Sequence, residues 1–386
     1  MENRDIRMNT KQAAPKNTFP EGNAIIYCEG AFGTPYGKTA HGLVRHTERY
    51  RVLSVVDSRH AGEDAGMVLD GKTSGIPVLK SITAAVNRAK ADRDPASHLV
   101  VGLAPDGGRL RKDARGDVMD AIRFGLHIDC GLHDYLGNDA YIHSLAKRYN
   151  VRIRDVRKPP PISLLHFFSG KIEEVDSLVI ALLGTDSAVG KRTTAWLLVE
   201  GLRRAGISAE LVGTGQTAWM QGVRFGIILD SLVNDFVSGE IEHAVWSAWK
   251  EADPDVIVIE GQGSLMNPAY PGGFEILAAG RPDAVVLQHA PARMDYDGFP
   301  GYRIQPIGRQ IEAVELISGK PVIAVTVNHE DLDEDGVAES CEWIEETTGL
   351  PAFDVLGHGP GELVGTVQRL LEKRNADDFE DDDDED

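Results

Sequence analysis

Residues 177–195 read SLVIALLGTDSAVGKRTTA, and their order decides the fold. SLVIALLGT (Ser177 to Thr185) has the length and continuous apolarity of a buried strand. GTDSAVGKRTTA (Gly184 to Ala195) then sets two glycines, a lysine and several hydroxyls ahead of RTTAWLLVEGLRRAG, a helical pattern. Strand, glycine-rich loop and helix together make the context of a phosphate loop. Gly184, Thr185, Asp186, Ser187 and Gly190 form the curl, where successive N–H groups converge on phosphate oxygens. Lys191 and Arg192 follow at the positive end of the helix, and Thr193 or Thr194 offers a hydroxyl for magnesium or phosphate. The spacing departs from G-x-x-x-x-G-K-[ST]. Five residues separate Gly184 from Gly190, and Arg192 takes the hydroxyl position, which leaves magnesium open.

Outward from this loop, DVIVIEGQG (Asp255 to Gly263), DAVVLQHA (Asp283 to Ala290) and PVIAVTVNH (Pro321 to His329) are further strand patterns spaced by helical ones. The first half repeats the scheme with AIIYCEG (Ala24 to Gly30), RVLSVVD (Arg51 to Asp57) and SHLVVGLAP (Ser97 to Pro105). Alternating strands and helices predict α/β domains with doubly wound parallel sheets. Three consecutive prolines in VRIRDVRKPPPISLLHF (Val151 to Phe167) mark an edge, because proline removes donors and restricts its neighbour. The expected division is a polar disordered tail over 1–20, an N-terminal domain with linker over 21–170, a C-terminal domain over 171–374 and an acidic disordered tail over 375–386. The 386 residues are 42% hydrophobic and carry a net charge of −20, nine acids of which lie in the last twelve residues. So acidic a body argues against nucleic acid as partner, and no apolar run reaches the ~18 residues of a membrane span. Three distant cysteines, no CxxC and no apolar leader point to a reducing cytoplasm. With 26 Arg against 14 Lys, the acidic surface fits either a salt-adapted protein or an ordinary acidic enzyme.

Several other clusters carry chemistry. Glu260 ends the strand of IVIEGQGSLMNPA, at the sheet edge where ligands of open α/β sheets sit; Gln262 and Ser264 follow it. That carboxylate can accept a proton, orient water, complete a magnesium shell or simply cap the next helix. Gln216 and Thr217 lie in a glycine-rich stretch read as incompatible with a regular helix, and Asp230 and Asp235 follow, with Glu240 and Glu242 on a solvated or subsite-lining helix. His133 is read as a substrate contact or a structural histidine. Arg154 and Arg157 can clamp a carboxylate or pair with the acidic surface, and His289 and Arg293 follow a strand that faces the crevice. The His127–His133 spacing does not suit zinc on a helix, so no metal site is expected. A second loop, GAFGTPYGKTA (Gly30 to Ala40), has a phosphate-loop look, with Phe32 and Pro35 out of pattern; the alternative is a sharp turn. No Gly-x-Ser-x-Gly or HExxH occurs.

The ordered set GTDSAVGKRTT, GTGQTAWMQG, DSLVNDFVSGEIE, EGQGSL, GLHDYLGND and DVRKPP resembles the D-glutamate N-acetyltransferase-like family, over roughly residues 22–370. The resemblance implies a Rossmann-like N-terminal domain, a P-loop NTPase-like C-terminal domain, and acetyl transfer from acetyl-CoA to the amine of D-glutamate. The loop and the EGQG strand end also resemble dethiobiotin synthetase, over the C-terminal half alone. On this footing the loop holds the acetyl-CoA diphosphate, Glu260 is the first choice of base with Asp230 and Asp235 behind it, and Arg157 or Arg293 meets the substrate carboxylates. Backbone amides of the turn 261–264 are candidates to steady the oxyanion. The rival readings are an ATP- and Mg-dependent ligase or kinase acting on a small carboxylate, and a nucleotide-binding regulator without turnover. The expected partner is a small-molecule substrate, and the usual state of such enzymes is a homo-oligomer.

Overall fold

The computed structural model describes residues 19–383. The expected N-terminal tail and residues 384–386 therefore fall almost wholly outside the described residues. Two sheets organise the chain. The first contains β1 (Gly22–Tyr27), β2 (Tyr50–Val56), β3 (Val78–Leu79), β4 (His98–Val101), β5 (His127–Cys130) and β6 (Ile153–Asp155), in the order β3-β2-β1-β4-β5-β6. The second contains β7 (Leu178–Gly184), β8 (Ala209–Gly213), β9 (Phe225–Gly226), β10 (Val256–Glu260), β11 (Ala284–His289), β12 (Val322–Val327) and β13 (Ala352–Phe353), in the order β13-β12-β11-β7-β10-β8-β9. Every strand pairing is parallel, so the chain is two doubly wound α/β domains, Rossmann-like and then P-loop-like.

The strands form where they do because both faces are buried. All seven residues of β7 are buried, and they alternate between two cores. Val179, Ala181 and Leu183 pack on one side, and Leu178, Ile180 and Leu182 on the other. β1 divides in the same way, Ile25 and Tyr27 against Ala24 and Ile26. A parallel sheet covered on both faces demands such continuous apolar runs. Register then positions the chemistry. Glu260 of β10 lies opposite Leu182, and Gln288 of β11 lies opposite Gly184, so the acid and the loop leave the same sheet edge side by side.

Three expectations need correction. Residues Gln216–Gln221 do form a helix, because the flanking glycines stand outside it: Gly215 precedes it and Gly222 ends it at φ 108°. Glu240 and Glu242 are neither solvated nor lining a subsite. Glu240 accepts from the His166 N–H at 2.7 Å, and buried Glu242 accepts from the Ser169 N–H at 2.7 Å, which ties the linker to helix Asn234–Ala252. The closing helix runs Gly361–Asp383, so helical backbone continues through most of the run read as a disordered acidic tail. Among the described residues, no helix is long and apolar enough to cross a membrane.

The domains dock through two short helices. Helix Lys38–Arg45 lies on helix Gln216–Gln221, with the Thr39 and Thr217 hydroxyls 3.0 Å apart. Gln221 donates to the carbonyls of Gly42 (2.9 Å) and His46 (3.0 Å), and the Arg49 guanidinium stacks 3.7 Å from the Trp219 ring centre. Gly42 makes the approach possible: a Cβ there would lie 2.9 Å from Arg192 Nη2 and 3.0 Å from Thr217 Cγ2.

Candidate active site between the domains

The loop after β7 curls back on its own lysine. Gly190, at φ 107°, turns the chain into helix Lys191–Arg204. Lys191 Nζ donates to the carbonyls of Asp186 (2.7 Å) and Gly263 (2.8 Å). The residue is 7% exposed, and burial pushes its pKa down to about 8. The lysine read at the positive end of the helix is thus enclosed by its own loop.

Asp186 is the hub beneath the loop. Its carboxylate accepts from Asn267 Nδ2 (2.7 Å), Arg293 Nη1 (2.9 Å) and the Asp297 N–H (2.7 Å). Arg293 is thus committed to Asp186 and to Glu330, and serves the loop rather than a substrate carboxylate. Thr185 meets His289 Nδ1 at 2.9 Å, and burial pushes that imidazole's pKa down to about 4, so it is neutral at pH 7. Thr194 donates to Gln288 at 2.5 Å, below the loop. That bond takes up its hydroxyl proton. Arg192 reaches toward the N-terminal domain, with Nη2 3.5 Å from the Lys38 carbonyl, while its enclosed Nε has no partner.

Glu260 faces this group from the next strand. It is 4% exposed and accepts from the Thr214 N–H at 2.9 Å. Burial raises its carboxyl pKa above the usual carboxylate value, and the charge of Arg192 opposes that rise. Thr214 also donates to the Glu260 carbonyl (2.9 Å) and accepts from Gln262 (2.8 Å). The Gly261 N–H is spent on Leu182 O at 3.0 Å, so it is lost to the oxyanion role read for the turn 261–264. Ser264 Oγ is buried without a partner.

A cavity of about 280 Å³ joins these groups. Ser187, Gly190, Lys191, Arg192 and Thr193 line it from the loop and the helix it opens; Gln216 and Thr217 line it from the start of their helix, and Glu260 and Gln262 from the end of β10. Arg157 and Asp230 line it as an ion pair, with Arg157 Nε also donating to Gly131 O at 2.6 Å. Asp230 is therefore a counter-ion first. The second glycine–lysine loop contributes Lys38, so both GK sequences face one space from opposite domains. Tyr270 lines it too, its pKa pushed up to about 12 by burial, and nothing in the sequence pattern marks it.

Other candidates are not brought here. Asp235 is exposed in the first turn of its helix. His133 is exposed, with its N–H on Gly108 O at 2.8 Å. His289 and Arg293 line a different recess, about 570 Å³, which holds neither lysine nor Glu260. Arg154 is spent on buried Asp129 at 2.7 Å.

Comparison with known proteins fixes the lineage. Residues 166–364 match the family model "Domain of unknown function (DUF1611_C) P-loop domain", and residues 58–159 match "Domain of unknown function (DUF1611_N) Rossmann-like domain". The chain belongs to the DUF1611 family. A crystal structure of a DUF1611 family protein from Anabaena variabilis shares the fold at TM-score 0.81 and 28% identity, covering 90% of this chain and 99% of that one. Two curated relatives are each named D-glutamate N-acetyltransferase. They come from Tritonibacter scottomollicae (29% identical) and Pseudoalteromonas sp (31%), each over 279 residues, 70% of this chain and 81% of the relative. The resemblance read from the ordered motifs agrees with both results.

Proposed function

We propose that the interdomain cavity is an acyl-transfer site of a cytoplasmic N-acetyltransferase, which moves an acetyl group from acetyl-CoA to the amine of an acidic amino acid such as D-glutamate. The names of the two relatives support the reaction class and suggest the substrate. The observation that carries acyl transfer over phosphoryl transfer is the loop's own side chains. Arg192 replaces the hydroxyl after the lysine, and Thr194 is bonded to Gln288. A magnesium–nucleotide loop uses a hydroxyl where this one sets a guanidinium. A diphosphate needs charge balance, and Lys191 and Arg192 supply it in a partly buried site, where charge pairs are screened less than in water.

The residues present fit such a ligand. Arg192 lines the cavity and its enclosed Nε has no protein partner, and Gly190 leaves the cradle free of a side chain. When bound, acetyl-CoA supplies an activated acyl carbonyl. Glu260 takes the proton that the substrate amine must lose, and its raised pKa suits it to accept a proton nearer neutrality. Arg157 offers its guanidinium to a substrate carboxylate, which takes the place of Asp230. Lys38 and Arg192, from opposite domains, keep the crevice electropositive inside an acidic molecule, which concentrates anionic substrates there.

A ligand that binds the native state raises the melting temperature by mass action. CoA or acetyl-CoA is expected to stabilise the protein without magnesium, and more than Mg-ATP at equal concentration. Acetyl-CoA with a panel of D- and L-amino acids should release free thiol for at least one acidic member. Stabilisation by Mg-ATP alone, with no thiol from any amine, would replace this reading with the ligase or kinase.

A further inference from the structure

The 280 Å³ cavity is too small for a whole nucleotide thioester, since pockets for drug-sized ligands run ~300–1,000 Å³. It does not end at the loop. Gly190 and Thr193 also line a groove of about 1070 Å³ on the other side, running past the ends of β12 and β13. Gly190 and Thr193 are thus a shared threshold: Glu260 lies on one side and the groove on the other.

The groove has two unlike walls. Leu197, Val337 and Leu356 of the C-terminal domain give an apolar surface suited to the face of a purine. The opposite wall is the N-terminal domain, through Arg45, Leu69, Asp70 and Lys72. Arg45 and Lys72 are the fixed cations among the groove's lining residues, and both come from that wall. The C-terminal wall carries the carboxylates Glu330, Glu334, Asp354 and Glu362, of which Glu330 pairs with Arg293, so an anion in the groove is held against the N-terminal wall. Arg45 is near enough to Arg192 to lower its proton affinity, so the two cations of that wall stand beside the loop's own guanidinium. Arg45 is held by Asp70 at 2.6 Å, in a pair about one-third exposed on each side. Such exposed pairs contribute little to stability, so Arg45 is available to a stronger anion.

Resting on the acetyl-CoA reading above, we infer that the nucleoside half of the cofactor lies in this groove and that Arg45 and Lys72 bind its ribose 3′-phosphate. A phosphomonoester has no other fixed cation in the groove to meet, and ATP carries none at that position. The N-terminal domain thereby becomes the element that distinguishes CoA from adenine nucleotides lacking the group. The phosphate loop, which meets a diphosphate in either ligand, cannot make that distinction.

The test is titration of the full chain with CoA and with 3′-dephospho-CoA. The wild type is expected to bind CoA about tenfold or more tightly than the dephospho form, the range of one or two charge-assisted contacts. Lys72→Ala and Arg45→Ala should each weaken CoA while leaving dephospho-CoA unchanged. Asp70→Asn, which frees Arg45 and removes a negative charge, should tighten CoA alone. Equal wild-type affinity for the two ligands, or variants that change both alike, would overturn the 3′-phosphate site while the acetyl-CoA reading stands. Binding of neither ligand would overturn both.

Discussion

Lys191 holds its ammonium between two carbonyl oxygens in an almost closed space, and burial keeps its pKa at about 8. The folded state therefore carries this charge at a cost. Between pH 8 and the unfolded value of 10.5, the unfolded chain binds the extra proton, so wild-type stability rises with pH across that window. Lys191→Met keeps most of the apolar stem. It should melt close to the wild type at pH 7, lose that rise between pH 8 and 10.5, and bind CoA ~10- to 100-fold more weakly, for ~1.5–3 kcal/mol of lost charge-assisted bonding. Thermal melts across pH and a CoA titration check all three. Glu260 gives the second residue-scale prediction. A base must be ionised, and this carboxyl is raised by burial, so kcat/KM should fall as pH drops through a value above the usual carboxylate range. Glu260→Gln should lower kcat by ~10²–10⁴ and leave CoA binding near wild type. A full rate in that variant would remove Glu260 as base. Residue types at this site were legible in the sequence, because glycine, lysine and a strand-end acid each have few other uses in that order. Partners were not. Arg293 looks like a carboxylate clamp until Asp186, more than a hundred residues earlier, is seen beside it.

Helix Asn234–Ala252 is held against the linker by closeness that a pattern does not reveal. A Cβ on Gly239 would lie 2.0 Å from His166 O and 2.5 Å from Phe167 C, both backbone atoms that cannot swing aside. An alanine would gain ~1 kcal/mol of helix propensity and force helix and linker apart, for which overpacking costs of ~1–3 kcal/mol are usual. The strain is expected to win, because the hydrogen bonds of His166 to Glu240 and of Ser169 to Glu242 lie at this contact. Gly239→Ala should therefore lower the melting temperature by several degrees, and an unchanged or higher value would mean that the linker moves freely. The same lesson separates the strands. β1, β2, β4, β7, β10, β11 and β12 were legible because continuous apolar runs have one natural home, a sheet covered on both faces. β5 was not, since His127–Cys130 has polar residues at two of its four positions. Its Asp129 tolerates full burial only because Arg154 and Tyr50 reach it at 2.7 and 2.6 Å from other strands. β3, β9 and β13 have two residues each, too few for any period to appear. Helix Gln216–Gln221 was missed because its bounding glycines read as if they lay within it.

At the scale of the whole molecule, two domains close over an electropositive crevice while the chain as a whole carries −20. The negative sign of the whole was legible in the sequence. The arrangement of the domains was not, because the docking depends on contacts such as Gln221 with Gly42, 179 residues apart. The imbalance has a consequence for stability. Like charges repel most in the compact state, and added salt shortens the range of that repulsion from ~10 Å at 0.1 M to ~3 Å at 1 M. Salt also screens the surface ion pairs, but exposed pairs contribute little each, so relief of the repulsion should dominate. The melting temperature is expected to rise steadily with KCl over that range, a salt chosen because it does not strengthen apolar burial as sulfate does. Deleting residues 376–386 removes nine acids and leaves −11, so the deleted chain should respond less steeply to KCl. Its specific activity at fixed salt should stay near that of the full chain, since a like-charge run has no affinity for an acidic body. CoA affinity should move the other way and weaken with KCl, because the contacts in the crevice are attractive ones. A melting temperature that is flat or falls with KCl would mean that specific ion pairs, rather than net charge, govern the stability of this protein.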